Sequence, residues 1–272
     1  MSVTAAFERT RAEGRAALIG YLPVGYPSVD GSIAAIEAMV AAGVDIVEVG
    51  LPYSDPVMDG PTIQRATEHA LAAGARTSDT FRVVAAAAAT GVPVLVMTYW
   101  NPVERFGVDR FAAALAEVGG AGLITPDLVP DEAGEWLTAS DTYGLDRVFL
   151  VAPSSTDARI ASTVESCRGF VYATSVMGVT GAREATSTAG PELVARTRVA
   201  AAQAGVPIGV GLGVRDGDQA AEVASYADGV IVGSALVRCL LDAGDDTAAG
   251  LTALTTLTRD LADGLRRAAV PS

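Results

Sequence analysis

The feature of this sequence that most constrains its fold is a repeated junction between a helix-like stretch and a short apolar stretch. At each junction a glycine follows the helix-like residues, and a branched apolar run begins soon after it. Three copies are Ala42-Gly43-Val44-Asp45, Thr90-Gly91-Val92-Pro93-Val94 and Ala204-Gly205-Val206-Pro207-Ile208. Glycine is a common stop signal just past a helix, and branched apolar runs suit strands buried on both faces of a parallel sheet. The repetition therefore predicts an α/β chain of consecutive strand–helix units.

Eight short apolar runs are candidates for the strands. They are Ala17–Leu22, Asp45–Val49, Val94–Thr98, Gly122–Ile124, Arg147–Val151, Phe170–Ala173, Ile208–Val210 and Gly229–Val232. The helix-like stretches between them include Ser32–Ala42, Thr62–Ala73, Arg110–Val118, Asp131–Tyr143, Pro191–Ala204 and Asp216–Ser225. This alternation predicts a single (β/α)8 TIM barrel with additional helices, and a doubly wound open sheet is the main alternative. Because no Pro/Ser-rich linker and no change in composition divides the chain, we expect residues 1–272 to form one domain.

The composition limits the classes of function. Half of the residues are apolar and 19% are charged, which supports a large packed core. All 19 basic residues are arginine, against 32 acidic residues, and the formal net charge is −13. The lack of lysine excludes Schiff-base chemistry on a lysine, and the acidic balance argues against nucleic acid or an anionic membrane as the main partner. In so acidic a chain, an anionic substrate would need positive charge or N–H donors within its own binding site.

Metal, disulfide and membrane functions find little support in the sequence. Cys167, Cys239 and His69 are its only cysteines and histidine, so we expect neither a disulfide framework nor a metal site. The longest uncharged stretch, Val83–Val103, is long enough for a membrane helix. Gly91-Val92-Pro93 interrupts it, however, and we interpret it as a helix end, a turn and a buried strand. The N-terminal residues lack the apolar segment of a signal peptide, and we expect a cytoplasmic location.

Two carboxylates lie at or near the end of the second predicted strand, where a barrel would have its active site. Glu48 ends an otherwise apolar run, and burial there would raise its pKa toward the range of a general acid or base. A glutamate that faces the outer helices or forms a structural salt bridge is the alternative. Asp59 follows in a Pro/Gly-rich loop that would return it to the barrel mouth, with Asp55 as the competing choice. An aspartate before Pro or Gly also serves simply as a turn residue.

Glycine-rich turns follow the last two predicted strands. Gly211-Leu212-Gly213 and Gly233-Ser234 allow backbone N–H groups to approach a phosphate, and these ordinal positions are the recurrent phosphate site of barrels. After the sixth strand, a long connection of small residues from Ala173 to Gly190 is typical of a lid or binding loop. Tyr172, at the end of that strand, is either a hydroxyl aimed into the mouth or an ordinary packing residue.

Together these segments resemble the tryptophan synthase alpha chain family. The resemblance is carried by Val47–Pro56 with Asp59–Gln64, by Met177–Gly181 and by the two glycine turns, and it runs in order from about Gly20 to about Leu240. It implies retro-aldol cleavage of indole-3-glycerol phosphate to indole and glyceraldehyde 3-phosphate, in tryptophan biosynthesis. It also implies no cofactor on this chain, and a beta-chain partner that carries pyridoxal phosphate in an α2β2 complex.

The same resemblance implies a role for each site residue. Glu48 would move protons at indole C3 and at the C3′ hydroxyl, and Asp59 would hold the indole N–H. Tyr172 matches a tyrosine beside the catalytic glutamate, Thr180 a threonine that helps to close the site, and Asp127 an aspartate that communicates with the beta chain. The implied indole wall consists of Tyr21, Met97, Tyr99, Val151 and Leu212, and the implied phosphate site of Gly181, Gly213, Gly233 and Ser234.

Three alternative functions share some of these features. A different phosphate-binding barrel, such as a phosphoribosyl isomerase, would be expected to carry paired aspartates at strand ends and two matching halves, and the sequence contains neither. A catalytically weak subunit that only activates a partner is disfavoured by the intact pair Glu48 and Asp59. A stand-alone indole-3-glycerol-phosphate lyase of secondary metabolism fits the same motifs, and activity without a beta chain would distinguish it.

Overall fold

The strands of the computed structural model, which describes residues 2–174 and 189–268, form a closed parallel barrel. They are β1 (Ala17–Pro23), β2 (Ile46–Gly50), β3 (Val94–Met97), β4 (Gly122–Ile124), β5 (Asp146–Val148), β6 (Leu150–Val151), β7 (Val171–Thr174), β8 (Ile208–Gly211) and β9 (Gly229–Val232). Hydrogen-bonded neighbours follow the order β5-β4-β3-β2-β1-β9-β8-β7-β6. Only Phe149 separates β5 from β6, so the two ends of this order meet and the barrel closes. The predicted TIM barrel is confirmed, with its fifth predicted strand divided in two.

Helices cover the outside of the barrel. Within the described ranges they are α1 (Val3–Ala12), α2 (Val29–Ala41), α3 (Pro61–Ala72), α4 (Thr77–Ala88), α5 (Trp100–Phe106), α6 (Val108–Glu117), α7 (Gly134–Tyr143), α8 (Asp157–Ser166), α9 (Ala189–Ala204), α10 (Gly217–Ala224), α11 (Ser234–Ala243) and α12 (Thr247–Arg267). Each helix proposed from the sequence corresponds to one of these, although a 3-10 turn, Pro130–Glu132, precedes α7. Val83–Val103 contains the end of α4, a turn and β3, as predicted, and also the first turn of α5, which was not predicted. In the parts of the chain that the structure describes, no helix combines the length and apolarity needed to cross a membrane.

The barrel interior is packed with side chains that alternate along the strands. One buried cluster joins interior residues to α1 and comprises Val3, Ala6, Phe7, Ala17, Ile19, Ile46, Leu95, Ile124, Val148, Phe170 and Ile231. The ring of Phe7 lies 5.8 Å from that of Phe170, so α1 closes the N-terminal end of the barrel. The remaining open space inside the barrel therefore lies at the carboxyl ends of the strands.

A buried ion pair fastens α1 and the first strands at this closed end. Asp45 is 3% exposed. Its carboxylate accepts hydrogen bonds from two guanidinium nitrogens of Arg15 at 2.6 and 2.8 Å and from Arg9 at 2.7 Å. The backbone N–H of Leu18 donates a further bond at 2.9 Å. Because every lone pair is used, the cost of burying the carboxylate is offset at this position.

Replacing Asp45 with asparagine should lower the free energy of unfolding by roughly 3 kcal/mol, because it leaves a partly buried guanidinium without its charge partner. The open cavity should stay unchanged, since Asp45 lies at the opposite end of the barrel. Urea denaturation followed by circular dichroism measures the loss. Asp263→Asn removes an exposed ion pair with Arg266 and serves as the control, with an expected change below about 0.5 kcal/mol. Equal unfolding midpoints for the two variants would contradict this account of the closed end.

Candidate active site

An open cavity occupies the barrel mouth. Its walls are formed by Tyr21, Glu48, Met58, Asp59, Ile63, Met97, Leu150, Tyr172, Thr174, Gly211, Leu212, Gly213, Ile231, Gly233 and Ser234. Ten of the residues singled out from the sequence are among these: Glu48, Asp59, Tyr21, Met97, Tyr172, Gly211, Leu212, Gly213, Gly233 and Ser234. Thr180 and Gly181 lie outside the described residues. The structure thus brings the two candidate carboxylates and the two glycine turns into one cavity.

Glu48 is a buried carboxyl that faces this cavity. It lies two residues after the interior Ile46 on β2, in register with Tyr21 on β1 and Leu95 on β3. The residue is 1% exposed, and its Oε1 has no hydrogen-bond partner among the described residues. Burial raises the pKa of Glu48 from an ordinary 4.5 to about 8. The side chain is therefore neither on the helix-facing side of the strand nor in a structural ion pair, and near neutral pH it is mostly protonated.

Two tyrosines flank Glu48 and press against glycines. A Cβ built on Gly50 would lie 2.2 Å from the hydroxyl oxygen of Tyr21, and one on Gly211 would lie 2.3 Å from that of Tyr172. Glycine is required at both positions because the phenol groups approach the backbone so closely. Burial and the nearby carboxyl of Glu48 raise the pKa of both tyrosines well above its ordinary value. Both side chains therefore stay neutral and keep the floor of the cavity free of added charge.

Asp59 reaches the cavity from the loop between β2 and α3. The hydroxyl of Tyr99 donates to its carboxylate and accepts a bond from the Met58 N–H at 3.0 Å. Gln64 donates to the backbone oxygen of Asp59 at 2.7 Å and holds the loop from the other side. Burial raises the pKa of Asp59, and the bond from Tyr99 opposes that rise. Asp55, in contrast, is exposed, lies outside this cavity and accepts a bond from the Ser54 hydroxyl, as a turn residue would.

Two residues expected in the indole wall lie elsewhere. Val151 is buried in the core between the barrel and the helices, in register with Ala173, and the expectation that it lines the cavity is corrected. Leu150 takes that place, because it pairs with Tyr172 and so points to the same side of the sheet. Tyr99 is also absent from the cavity wall and acts on Asp59 from behind it.

The glycine turns form the opposite wall. Gly213 follows β8 with a φ of +72°, a conformation that favours glycine. Gly233 is the N-cap of α11 and offers no side-chain oxygen to the first N–H groups of the helix. The hydroxyl of Ser234 stands at the first helical position beside these groups. Backbone donors, a hydroxyl and the positive end of a helix dipole together suit a phosphate.

Asp127 lies outside the cavity, on the surface. Both of its carboxylate oxygens accept the Trp100 N–H, at 3.0 and 3.1 Å, and so cap the start of α5. The next residue of that helix, Asn101, donates to the hydroxyl of Tyr53 in the β2–α3 loop at 3.0 Å. A short series of contacts therefore connects Asp127 to the loop that carries Asp59.

Five wall residues were not singled out from the sequence: Met58, Ile63, Leu150, Thr174 and Ile231. Strand alternation would have indicated three of them, since Thr174 follows Tyr172 by two residues and Leu150 and Ile231 share the parity of interior positions. No sequence signal points to Ile63, which reaches the cavity from α3. Within the ranges that the structure describes, no cluster of His, Cys, Asp and Glu is suited to hold a metal ion.

Comparisons with known proteins extend over nearly the whole chain. A family model described as tryptophan synthase alpha chain matches residues 7–266. The tryptophan synthase alpha chain of Salinispora arenicola is 64% identical over 261 residues, 96% of either chain, and that of Mycobacterium avium is 62% identical over 98% of this chain and 95% of the relative. A structure of Mycobacterium tuberculosis tryptophan synthase has a TM-score of 0.90 at 59% identity, over 97% of this chain and 98% of that one. Subunit alpha from Legionella pneumophila has a TM-score of 0.86 at 31% identity, over 97% and 98%.

Proposed function

This chain belongs to the tryptophan synthase alpha chain family, and from that premise we propose that Glu48 and Asp59 carry the family's reaction in this chain. The alpha chain is a lyase that cleaves indole-3-glycerol phosphate in tryptophan biosynthesis and uses no cofactor of its own. The observation that supports the assignment is a buried carboxyl whose Oε1 has no hydrogen-bond partner among the described residues, in one cavity with a second carboxyl and two glycine turns. Perturbed carboxyls that share a cleft are a frequent mark of acid–base catalysis.

Glu48 acts first as an acid. With a pKa of about 8 it carries its proton at neutral pH and donates it to indole C3, so that C3 becomes tetrahedral and the ring nitrogen positive. The resulting carboxylate then takes the proton of the C3′ hydroxyl. The oxygen electrons form the new carbonyl, and the electrons of the C3–C3′ bond return to the ring. Indole and glyceraldehyde 3-phosphate leave, and Glu48 is again protonated.

Asp59 stabilises the positive charge that appears on the ring nitrogen. For this role it must be ionised and held toward the indole N–H, and both conditions depend on Tyr99. The hydroxyl of Tyr99 hydrogen-bonds the Asp59 carboxyl and opposes the rise in its pKa that burial causes. Burial and Asp59 raise the pKa of Tyr99 well above its ordinary value, so the phenol keeps its proton for this bond. A fixed carboxylate in a partly dry cavity stabilises a developing charge strongly.

The rest of the cavity orients the substrate. The glycine turns with Gly213, Gly233 and Ser234 hold the phosphate, and the apolar side chains of Met97 and Leu212 face the indole ring. Leu150 completes this wall in the place first expected for Val151. Binding at both ends of the substrate fixes the scissile bond near Glu48, which is how remote binding energy lowers the barrier.

We further propose that this chain works in the cytoplasm, in an α2β2 complex with a beta chain that carries pyridoxal phosphate. The exposed Asp127 and the β2–α3 loop support this assignment. Val57, at 69% exposure, is a large apolar side chain two residues before Asp59, and it would be covered by a partner. A partner that presses on this loop would act on Asp59 through the bonds made by Tyr53 and Tyr99.

Replacing Tyr99 with phenylalanine should lower kcat/KM at neutral pH by roughly tenfold, because a hydrogen bond to a charged group is lost. The loss should also raise the pKa of Asp59, and the acidic limb of the pH profile of kcat/KM should move to higher pH. Tyr143→Phe is the control, since its hydroxyl bonds Asp109 on the outer helices and not Asp59. A profile of Tyr99→Phe that superimposes on that of the wild type would contradict the assignment.

Incubation of the purified chain with indole-3-glycerol phosphate tests the proposed function. Equimolar release of indole and glyceraldehyde 3-phosphate is expected, and two independent assays quantify the products. Release of neither product, with or without a beta chain, would overturn the proposal.

A further inference from the structure

A second cavity, of about 500 Å³, lies on the outer side of the glycine turns that contain Gly213 and Ser234. It lies between α11, α12 and the loop that follows β8, and it shares Gly213 and Ser234 with the substrate cavity. Two arginines, Arg215 and Arg238, are part of its walls. In a chain of net charge −13, two basic groups beside the turns expected to bind phosphate are a local exception to the overall charge.

The substrate cavity itself contains no basic side chain among its described wall residues. Its ionisable groups are the carboxyls of Glu48 and Asp59 and two neutral phenols. A phosphate monoester carries nearly two negative charges at neutral pH, whereas a helix N-terminus supplies about half a positive charge. The described walls of that cavity therefore leave much of the phosphate charge unmet.

Arg238 is placed to meet that charge. It follows Ser234 by four residues on α11, so the two side chains share one face of the helix. Its guanidinium donates to the hydroxyl of Thr62 at 3.5 Å, next to Ile63 of the substrate cavity wall. Asp242, one turn further along α11, also lines the second cavity but forms no ion pair with Arg238 within 4 Å. The guanidinium of Arg238 therefore donates its described hydrogen bond to a neutral hydroxyl, that of Thr62.

We propose that Arg238 supplies the positive charge for the substrate phosphate and so makes the site selective for dianionic ligands. This inference rests on the proposed function, because it takes the turns at Gly213 and Gly233 as the phosphate site. Arg238 lies beside the turn and not against the reacting atoms. Its charge should therefore affect the affinity for the substrate and not the rate of the chemical step. Because Arg238 is exposed, its attraction for the phosphate should contribute only modestly to the binding free energy and should weaken as the salt concentration rises.

Arg238→Met tests the inference, since methionine keeps the apolar stem and removes the charge. At low salt the inhibition constant of glycerol 3-phosphate should rise about fivefold, and the ratio should fall toward one at high ionic strength. The value of kcat and the affinity for indole, which is uncharged, should remain as in the wild type. Arg238→Lys should keep most of the affinity, because the charge is retained.

Arg259→Met is the matched control, because it removes one exposed arginine that does not line either cavity and changes the net charge equally. Arg238→Met and Arg259→Met with equal inhibition constants would overturn the inference alone. A wild-type chain that fails to bind glycerol 3-phosphate would overturn it together with the proposed phosphate site. If the methionine variant does not fold, Arg238→Gln, which also removes the charge but keeps a polar head group, is compared with Arg259→Met in the same way and decides between the same two outcomes.

Discussion

Glutamine at position 48 should reduce the turnover of indole-3-glycerol phosphate by about 10³-fold, while the affinity for glycerol 3-phosphate stays near that of the wild type. Glutamine fills the same space but neither donates an acidic proton nor accepts one. The glycine turns that we propose bind the phosphate connect β8 and β9 to the helices that follow them, so their structure does not depend on the side chain of Glu48. Single-turnover release of indole and competitive inhibition by glycerol 3-phosphate measure the two quantities separately.

Asp55→Asn is the control for this experiment. Asp55 is the other carboxylate of the same loop that the sequence left as a candidate, and it is exposed outside the cavity. Its replacement should leave turnover unchanged. Near-normal turnover in the Glu48→Gln variant would remove Glu48 from the mechanism.

The same substitution should change how stability depends on pH. The folded chain holds the Glu48 carboxyl with a pKa of about 8, against 4.5 for the ordinary group. Between these values the folded state keeps a proton that the unfolded state has lost, so this group's contribution to stability falls as pH rises from about 4.5 to about 8. The glutamine variant lacks this dependence, so its free energy of unfolding should rise relative to that of the wild type as the pH increases from about 4.5 to about 8. Urea midpoints at pH 5 and pH 8 that differ between the two proteins by a constant amount would contradict the buried, protonated carboxyl.

Aspartate at position 233 should weaken glycerol 3-phosphate binding by about 100-fold. An aspartate at this position, the N-cap of α11, would add a negative charge beside the helix N–H groups that we propose bind the phosphate. The backbone φ of −123° lies outside the left-handed region that favours glycine. A Cβ there would lie 3.3 Å from the ring of Tyr21, a close contact that any side chain at this position shares.

Two further variants at position 233 divide this effect into its causes. Asparagine has the shape and capping ability of aspartate without its charge, and alanine has neither. We expect the loss of affinity to be smallest for alanine, intermediate for asparagine and largest for aspartate. Equal affinities in all three, measured by inhibition with glycerol 3-phosphate at constant ionic strength, would place the phosphate elsewhere.

Strand alternation explains why much of the cavity could be predicted from the sequence. Ile46 is an interior residue, and Glu48 therefore had to face the interior once β2 was recognised. The same rule applied from the interior Val148 indicates Leu150, not Val151, as the wall residue, even though β5 and β6 are separate strands. The family resemblance alone assigned Val151, and local geometry corrects it by one position.

Contacts between distant segments could not be predicted in this way. Tyr99 and Met58 are 41 residues apart, and their hydrogen bond depends on how the β2–α3 loop folds back over the barrel mouth. For the same reason the sequence left the choice between Asp55 and Asp59 open. The role of α1 as the closure of the N-terminal end is likewise set by tertiary packing against Phe170, which no local pattern encodes.

Release of indole from indole-3-glycerol phosphate, measured for the purified chain with and without a tryptophan synthase beta chain, tests the central assignment most directly. We expect slow release by the chain alone and an increase of orders of magnitude when the beta chain is added. Rapid release by the chain alone would contradict the role as a partner-dependent subunit and support a stand-alone lyase. The absence of indole under both conditions would contradict the assigned reaction itself.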